Sequence, residues 1–220
     1  MRAISLLLSV FAAPAPATPA DPPVAPLVAK IQKFYDATKD LHARFEQTLE
    51  SGMGGKKRAS GELWLKKPGK MRWDYAKPER KLMVSDGQTL WVYEPEDEQA
   101  FKQDLRSSNL PLSVSFLFGQ GKLTDEFTVT VVHPEGVGTA DETILKLVPK
   151  VATAAYRYLL FVVDPKTGLV HETVIYDQQN GTNHLTFASV ETNKGVDDAK
   201  FRFTPPSGTK VLYGTSRSSP

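Results

Sequence analysis

The chain has 220 residues, 40% of them hydrophobic, 24% charged and 10% aromatic, with a formal net charge of +2. That is enough apolar material for a globular core in one domain, or at most two. Basic and acidic residues are interspersed, which argues against a nucleic-acid groove; the absence of cysteine excludes disulfides, a thiolate nucleophile and a cysteine-ligated metal.

The chain starts "MRAISLLLSVFAAPAPATPA". Arg2 is a short positive region, Ala3 to Ala13 an apolar one, and small residues follow. The pattern predicts a signal peptide over 1–20, cleaved near Ala17 or Ala20. No cysteine follows to take a lipid, so the expectation is an exported, soluble protein, not lipid-anchored, in a bacterial periplasm or outside the cell. The remaining chain, 21–214, reads as a single domain, with 215–220 as a flexible tail.

After "DPPVAP" comes an amphipathic helix over "PLVAKIQKFYDATKDL", with apolar Leu27, Ile31, Phe34, Tyr35 and Leu41 at spacings of three and four. From His42 the period becomes two. "HARFEQTLE", "ASGELWLKK", "KMRWDYAKP", "RKLMVSD", "QTLWVYEP" and "QAFKQDL" read as strands, joined by Gly-, Pro- and Asp-bearing turns such as "SDGQ". "NLPLSVSFLFGQG" interrupts them: Pro111 suits a helix start, Gly119 a helix end, and Leu112 to Phe118 a short helix between. So short a helix cannot hold itself together in water and must dock on something. "EFTVTVVH", "ETILKLVP", "YRYLLFVVD", "LVHETVIYDQ" and "NHLTFASVET" are further strands, and "AKFRFTPPSGTKVL" closes the domain. The expectation is a mainly β (α+β) protein with an antiparallel sheet of about ten or eleven strands.

In "YRYLLFVV" both faces are apolar: Tyr158, Leu160 and Val162 on one, Leu159, Phe161 and Val163 on the other. Both must be covered. A curved sheet with helices on its concave side does this; so does a barrel around an apolar ligand.

Reactive constellations are absent. No Gly-x-Ser-x-Gly elbow occurs, and His42, His133, His171 and His184 are scattered without metal-ligand spacing. His171 and His184 could face each other across the "QNG" hairpin, as surface imidazoles or as part of a metal site. "GMGGKK" has the wrong length for a phosphate loop and reads as a flexible hairpin loop. No catalytic residue, metal or cofactor is expected. What stands out is apolar. Met71, Trp73 and Tyr75 share a strand face opposite Arg72 and Asp74, and serve either as sheet core or as ligand lining.

The motifs "HARFEQT", "GELWLKKPGKMRWDY", "MVSDGQTLWVYEP" and "DAKFRFTPPSGTKV", in this order and spacing, resemble the periplasmic carriers of outer-membrane lipoproteins, the LolA family. The resemblance implies an incomplete antiparallel β-barrel with a helical lid over an apolar concavity. It implies a non-enzymatic monomer that takes lipoproteins from an inner-membrane ABC transporter, shields their acyl chains and passes them to an outer-membrane acceptor lipoprotein. The acyl cavity and lid would then involve Leu63, Leu65, Met71, Trp73, Tyr75, Leu112, Val114, Phe116 and Leu117. Met71 stands where the family commonly has Phe, and Trp73 matches a family Trp. Lys67 stands where well-studied members have an Arg that holds the lid closed; Lys is a point charge rather than a planar fork, and a solvated hairpin lysine is the other reading. The alternative function is a half-barrel lipid or lipoprotein sensor acting through a protein partner, which would usually need a second domain or an anchor. A secreted lipid hydrolase is the third.

Overall fold

Residues 23–105 and 122–214 are described by the computed structural model. Helix α1 (Val24–Ala37) comes first, followed by strands β1 (Asp40–Glu50), β2 (Lys56–Lys66), β3 (Lys70–Lys77), β4 (Lys81–Asp86), β5 (Thr89–Glu94) and β6 (Gln99–Asp104). A four-residue helix α2 (Leu123–Glu126) leads into β7 (Phe127–Val132), β8 (Thr143–Pro149), β9 (Tyr158–Val163), β10 (Val170–Tyr176) and β11 (Thr182–Thr192). A 3₁₀ turn (Asp198–Phe201) and β12 (Lys210–Tyr213) complete the fold. The strands form one open sheet in the order β12-β6-β5-β4-β3-β2-β1-β11-β10-β9-β8-β7.

The sheet is mainly β, unclosed and largely antiparallel, as expected, with two differences. There are twelve strands among the described residues, rather than ten or eleven, and β12 pairs parallel with β6. A four-residue strand after a Pro-Gly-rich stretch has too little alternation to register as a separate strand, and its parallel partner lies more than a hundred residues away. Helix α1 also stops earlier than the apolar spacing suggests. Thr38 turns extended, its hydroxyl donating to the Phe34 carbonyl at 2.8 Å, and Leu41 belongs to β1.

Strand alternation separates two faces. The inner face carries Phe45 on β1, Leu63 and Leu65 on β2, Met71 and Trp73 on β3, Leu185 and Phe187 on β11, and Leu159, Phe161 and Val163 on β9. These join Leu27, Val28, Ile31 and Tyr35 of α1 in one continuous cluster. A single cluster that draws on β5 (Leu90) and on β7 (Val129) requires the sheet to curl around the helix.

The outer face is covered in two places. Over β8–β10, Ile144, Leu160, Val162 and Val174 form a second cluster, against which Val137 of the β7–β8 loop packs. Gly138 of that loop, at φ 68°, lies so close that a Cβ would sit 3.0 Å from Val162. Both faces of β9 are therefore covered, one by helix and curl, the other by a loop. Over β2–β5 the cover is a strap, residues 194–209. The Asp40 carboxylate accepts from the backbone N–H of Lys194 (2.9 Å) and Gly195 (3.1 Å). Asp198 pairs with Lys66 (2.6 Å) and Lys70 (2.8 Å), Phe201 is buried, and Phe203 packs on Trp91 and Tyr93.

Candidate functional site

The inner face has two ends. At the near end, α1 lies across the sheet and is fastened at several points. The buried Tyr35 hydroxyl accepts from the Val170 N–H (3.2 Å), and its burial pushes the phenol pKa upward. Lys30 Nζ donates to the Pro165 carbonyl (2.7 Å), and Gly168, at φ 84°, brings the β9–β10 turn so close that a Cβ would meet the Lys30 carbonyl at 3.0 Å.

Lys67 is the fourth fastening. It lies in the β2–β3 turn, and its ammonium donates to the backbone oxygen of Tyr35 (2.5 Å) and reaches that of Asp36 (3.4 Å). Those oxygens belong to the last turn of α1, which has no following N–H for all of them, and the helix dipole places negative charge there. Desolvation holds the Lys67 pKa below the ordinary lysine value, with Asp36 opposing. Lys67 is thus a helix-capping cation rather than a solvated turn lysine.

Leu63, Leu65, Met71 and Trp73 are all within the buried cluster, Met71 fully so. The register sets Leu65 opposite Met71 and Leu63 opposite Trp73. Gly61 faces Tyr75, with a bulge between Ser60 and Gly61. The lack of a side chain at Gly61 leaves room for Phe45, which meets Trp73 and Tyr75 edge-on, both with centroids 4.9 Å apart. A Cβ there would come within 1.9 Å of the Asp74 carbonyl and 3.0 Å of the Phe45 ring. The Met-Trp-Tyr face therefore divides. Met71 and Trp73 are core, whereas Tyr75 is half-buried, with burial raising its phenol pKa.

Beyond Tyr75 the inner face opens. A cavity of about 780 Å³ lies at the far end, between the last residues of β1, β3 and β5 and the first of β2, β4 and β11. Leu49, Ala59, Tyr75 and Met83 give it apolar wall; Gln47 and Asn183 line it too, Gln47 Nε2 donating to Asn183 Oδ1 at 2.9 Å. Charged residues line it as well: Lys57, Arg58, Lys77, Arg80 and Lys81, with Glu79, Glu94, Glu96 and Asp97 among them, and Lys81 pairs with Glu94 at 3.1 Å. Neither Ala59 nor Met83 was picked out from the sequence. A period of two running from Gly61 and from Trp73 across the sheet places both on this face, so the signal was there, but only the register makes it usable. A second hollow, of about 660 Å³, lies at the opposite end against Gln88, Lys102, Gln103 and Tyr213 and is lined mostly by polar groups.

Leu112, Val114, Phe116 and Leu117 lie outside the described residues. His171 and His184 do not face each other: His184 is opposite Val174, and its Nε2 lies 2.7 Å from Glu172 Oε2 on the outer face. Among the described residues no group of three or more His, Asp or Glu is placed to hold a metal ion. None of the described helices is long and apolar enough to cross a membrane.

An apolar wall that ends in a roomy, partly apolar hollow suits an elongated apolar ligand. Comparison with known proteins agrees with this chemistry. Residues 36–204 match the family model described as outer membrane lipoprotein carrier protein LolA. A protein of Methylococcus capsulatus named outer-membrane lipoprotein carrier protein is 30% identical over 83% of this chain and 86% of its own. One of the same name from Azotobacter vinelandii is 31% identical over 84% of this chain and 87% of its own. Among solved structures, an uncharacterized conserved protein from Thermus thermophilus shares the fold with a TM-score of 0.54 at 12% identity, over 86% of this chain and 98% of that one.

Proposed function

We infer the function from one premise: this chain belongs to the LolA family of outer membrane lipoprotein carrier proteins. It is a lipoprotein carrier, a binding protein whose cargo is held by its acyl chains. We propose in addition that it works in the periplasm as a soluble monomer, receives lipoproteins from an inner-membrane ABC transporter and delivers them to an outer-membrane acceptor lipoprotein.

The observation that carries the reading is the continuity of cavity and core. Tyr75 and Met83 belong both to the hollow's wall and to the margin of the buried cluster. A ligand that enters the far end thus meets apolar surface continuous with the sheet interior. The need for such a surface is large. At about 0.8 kcal/mol per buried CH₂, an acyl chain of about 15 methylenes prefers an apolar site to water by on the order of 12 kcal/mol. No ATP-binding motif stands out in the chain, so the carrier's grip must be intermediate; a protein segment that competes with the chains for the same surface would provide that. We assign this competition to α1, capped by Lys67, together with Leu112, Val114, Phe116 and Leu117. Leu63, Leu65, Met71 and Trp73 become acyl-contacting when the competing segment yields.

The test is extraction. Purified mature protein is incubated with spheroplasts, and the supernatant is examined for a soluble complex with a lipoprotein. A stoichiometric complex is expected; a supernatant without one, from spheroplasts that release lipoprotein to an authentic carrier, overturns the reading. Phe116→Glu is expected to reduce uptake of an apolar dye, and undiminished uptake removes Phe116 from the site.

A further inference from the structure

Met53 and Val151 are the most exposed large apolar side chains among the described residues, at 98% and 82%. They lie far apart in sequence, Met53 in the β1–β2 turn and Val151 in the β8–β9 loop, yet strand direction brings both to the far end of the sheet. The β1–β2 turn is braced from the side, since Gly52 abuts the backbone of Gln179 in the β10–β11 turn. Its tip continues through Gly54 and Gly55, both at positive φ, with no atom near the place of either missing Cβ. Among the described residues nothing covers the Met53 side chain.

Each tip is flanked by cations. Lys56, Lys57 and Arg58 follow Met53; Lys150 precedes Val151, and Arg157 ends the same loop. Among the described residues, exposed Lys57, Arg58 and Lys77 have no salt bridge. Lys150 and Arg157 donate to the backbone oxygens of Thr124 (2.6 Å) and Asp177 (2.8 Å), which fixes their position and leaves their charge intact. Carboxylates are present too: exposed Asp125 and Glu126 lie on α2 beside Lys150, Glu79 lies between Lys77 and Arg80, and two others are engaged. Glu50 pairs with Lys56, and Asp177 accepts from the N–H groups of Gln179 (2.8 Å) and Gly181 (2.6 Å). Cations outnumber carboxylates from β8 across to β3. The far end turns acidic at the β5–β6 corner, with Glu96, Asp97 and Glu98.

We propose that this far end makes a transient, oriented contact with an anionic lipid surface, Met53 and Val151 entering the headgroup layer and Lys57, Arg58 and Lys77 meeting the phosphates. Exposed apolar tips set among cations are the physical pattern of reversible membrane contact: a small apolar insertion strengthened by attraction to anionic lipid. The acidic corner is repelled by the same surface, which selects one tilt. The proposal rests on the lipoprotein-carrier reading and extends it. The cavity mouth is at this same end, so a carrier in that pose holds its opening towards the layer from which acyl chains come.

Sedimentation with vesicles is the test. The full-length mature protein is mixed at low salt with phosphatidylglycerol–phosphatidylcholine vesicles and, separately, with pure phosphatidylcholine vesicles. Binding to the first and not the second is expected, lost as salt is raised. Lys57→Glu with Arg58→Glu is expected to weaken it on the order of tenfold or more, and Met53→Asp with Val151→Asp by about threefold or more. Met53 and Val151 are exposed and outside the cavity, so that second variant is expected to fold and to take up apolar dye in solution like the parent. Equal binding to both vesicles, binding to neither, or undiminished binding by the Met53→Asp, Val151→Asp variant overturns the proposal. Failure of the carrier reading has a different signature, the absence of a soluble lipoprotein complex whatever the vesicles show.

Discussion

The near and far ends of the inner face are made from the same strands and differ in what closes them. At the near end Leu63, Leu65, Met71 and Trp73 meet α1 in one buried cluster, and the helix is fastened by Tyr35, Lys30 and Lys67. At the far end the same alternation continues through Ala59, Tyr75, Met83 and Leu49, but faces a cavity of about 780 Å³. Among the described residues, one end packs its apolar surface and the other leaves it uncovered. Under the proposed function, a binding site is a region of ordinary sheet core that the described residues leave uncovered, without special chemistry in its side chains.

The contrast is open to direct attack. The strongest effect is expected from Phe161→Ala, which empties a fully buried position in the near-end cluster. It should cost about 3–5 kcal/mol by denaturant unfolding, whereas Tyr75→Ala should cost less than about 2 kcal/mol. In an apolar-dye assay Tyr75→Ala should lower affinity; equal unfolding costs with unchanged dye affinity would erase the distinction between the ends.

At the boundary between them, Gly61→Val forces a side chain against the Asp74 carbonyl and the Phe45 ring. A loss of about 1–3 kcal/mol is expected from the strain of overpacking. The aromatic trio of Phe45, Trp73 and Tyr75 should be disturbed with it, seen as a change in near-ultraviolet circular dichroism.

Lys67→Leu removes the cation from the α1 C-terminus. A loss of about 1 kcal/mol is expected, with Lys67→Arg restoring most of it. If α1 competes with cargo, release rates should change more than loading rates, and equal effects on both would leave Lys67 as a helix cap and nothing more.

The smallest effect concerns the outer strap. The Lys66 and Lys70 ammonium groups hold the Asp198 pKa well below the ordinary carboxylate value, to about 2. A depressed carboxylate contributes stability that is present above its unfolded value and lost as pH falls through the folded one. Asp198 should therefore keep its clamp from neutral pH to about pH 4 and lose it progressively towards pH 2. The side chain is exposed, so the effect is small and screened by salt. It is measured as proteolytic cleavage within 194–209 against pH with an acid-stable protease, compared with Asp198→Asn, which should be insensitive over that window.

Much of the fold was readable in the chain. Alternation marked most of β1–β11, because those strands present one side to a core and the other outward, and "SDGQ" marked a turn in which Asp86 Oδ1 accepts from Gln88 and Thr89. Double-sided apolarity in "YRYLLFVV" correctly demanded two covers, though not which ones. The extra strand, β12, escaped because four residues carry no period. The early end of α1 escaped because Leu41 falls on the helical spacing by coincidence. The Met-Trp-Tyr face was visible as a face, but the division after Trp73 was not, since burial depends on what lies opposite and no local pattern reports that.

Composition, period and motif order by themselves determined the class of protein: a mainly β carrier without cysteine, with a large apolar face and interspersed charges of both signs. These follow from short-range rules, in which side-chain direction repeats every two residues and turn chemistry is local. Tertiary structure alone decided which part of that face is covered. It set Lys67 beneath the last turn of α1, and it brought Met53 and Val151, nearly a hundred residues apart, to one end. Each of these depends on the curl and register of a twelve-stranded sheet, a sum of many small long-range contacts that no segment of the chain encodes alone.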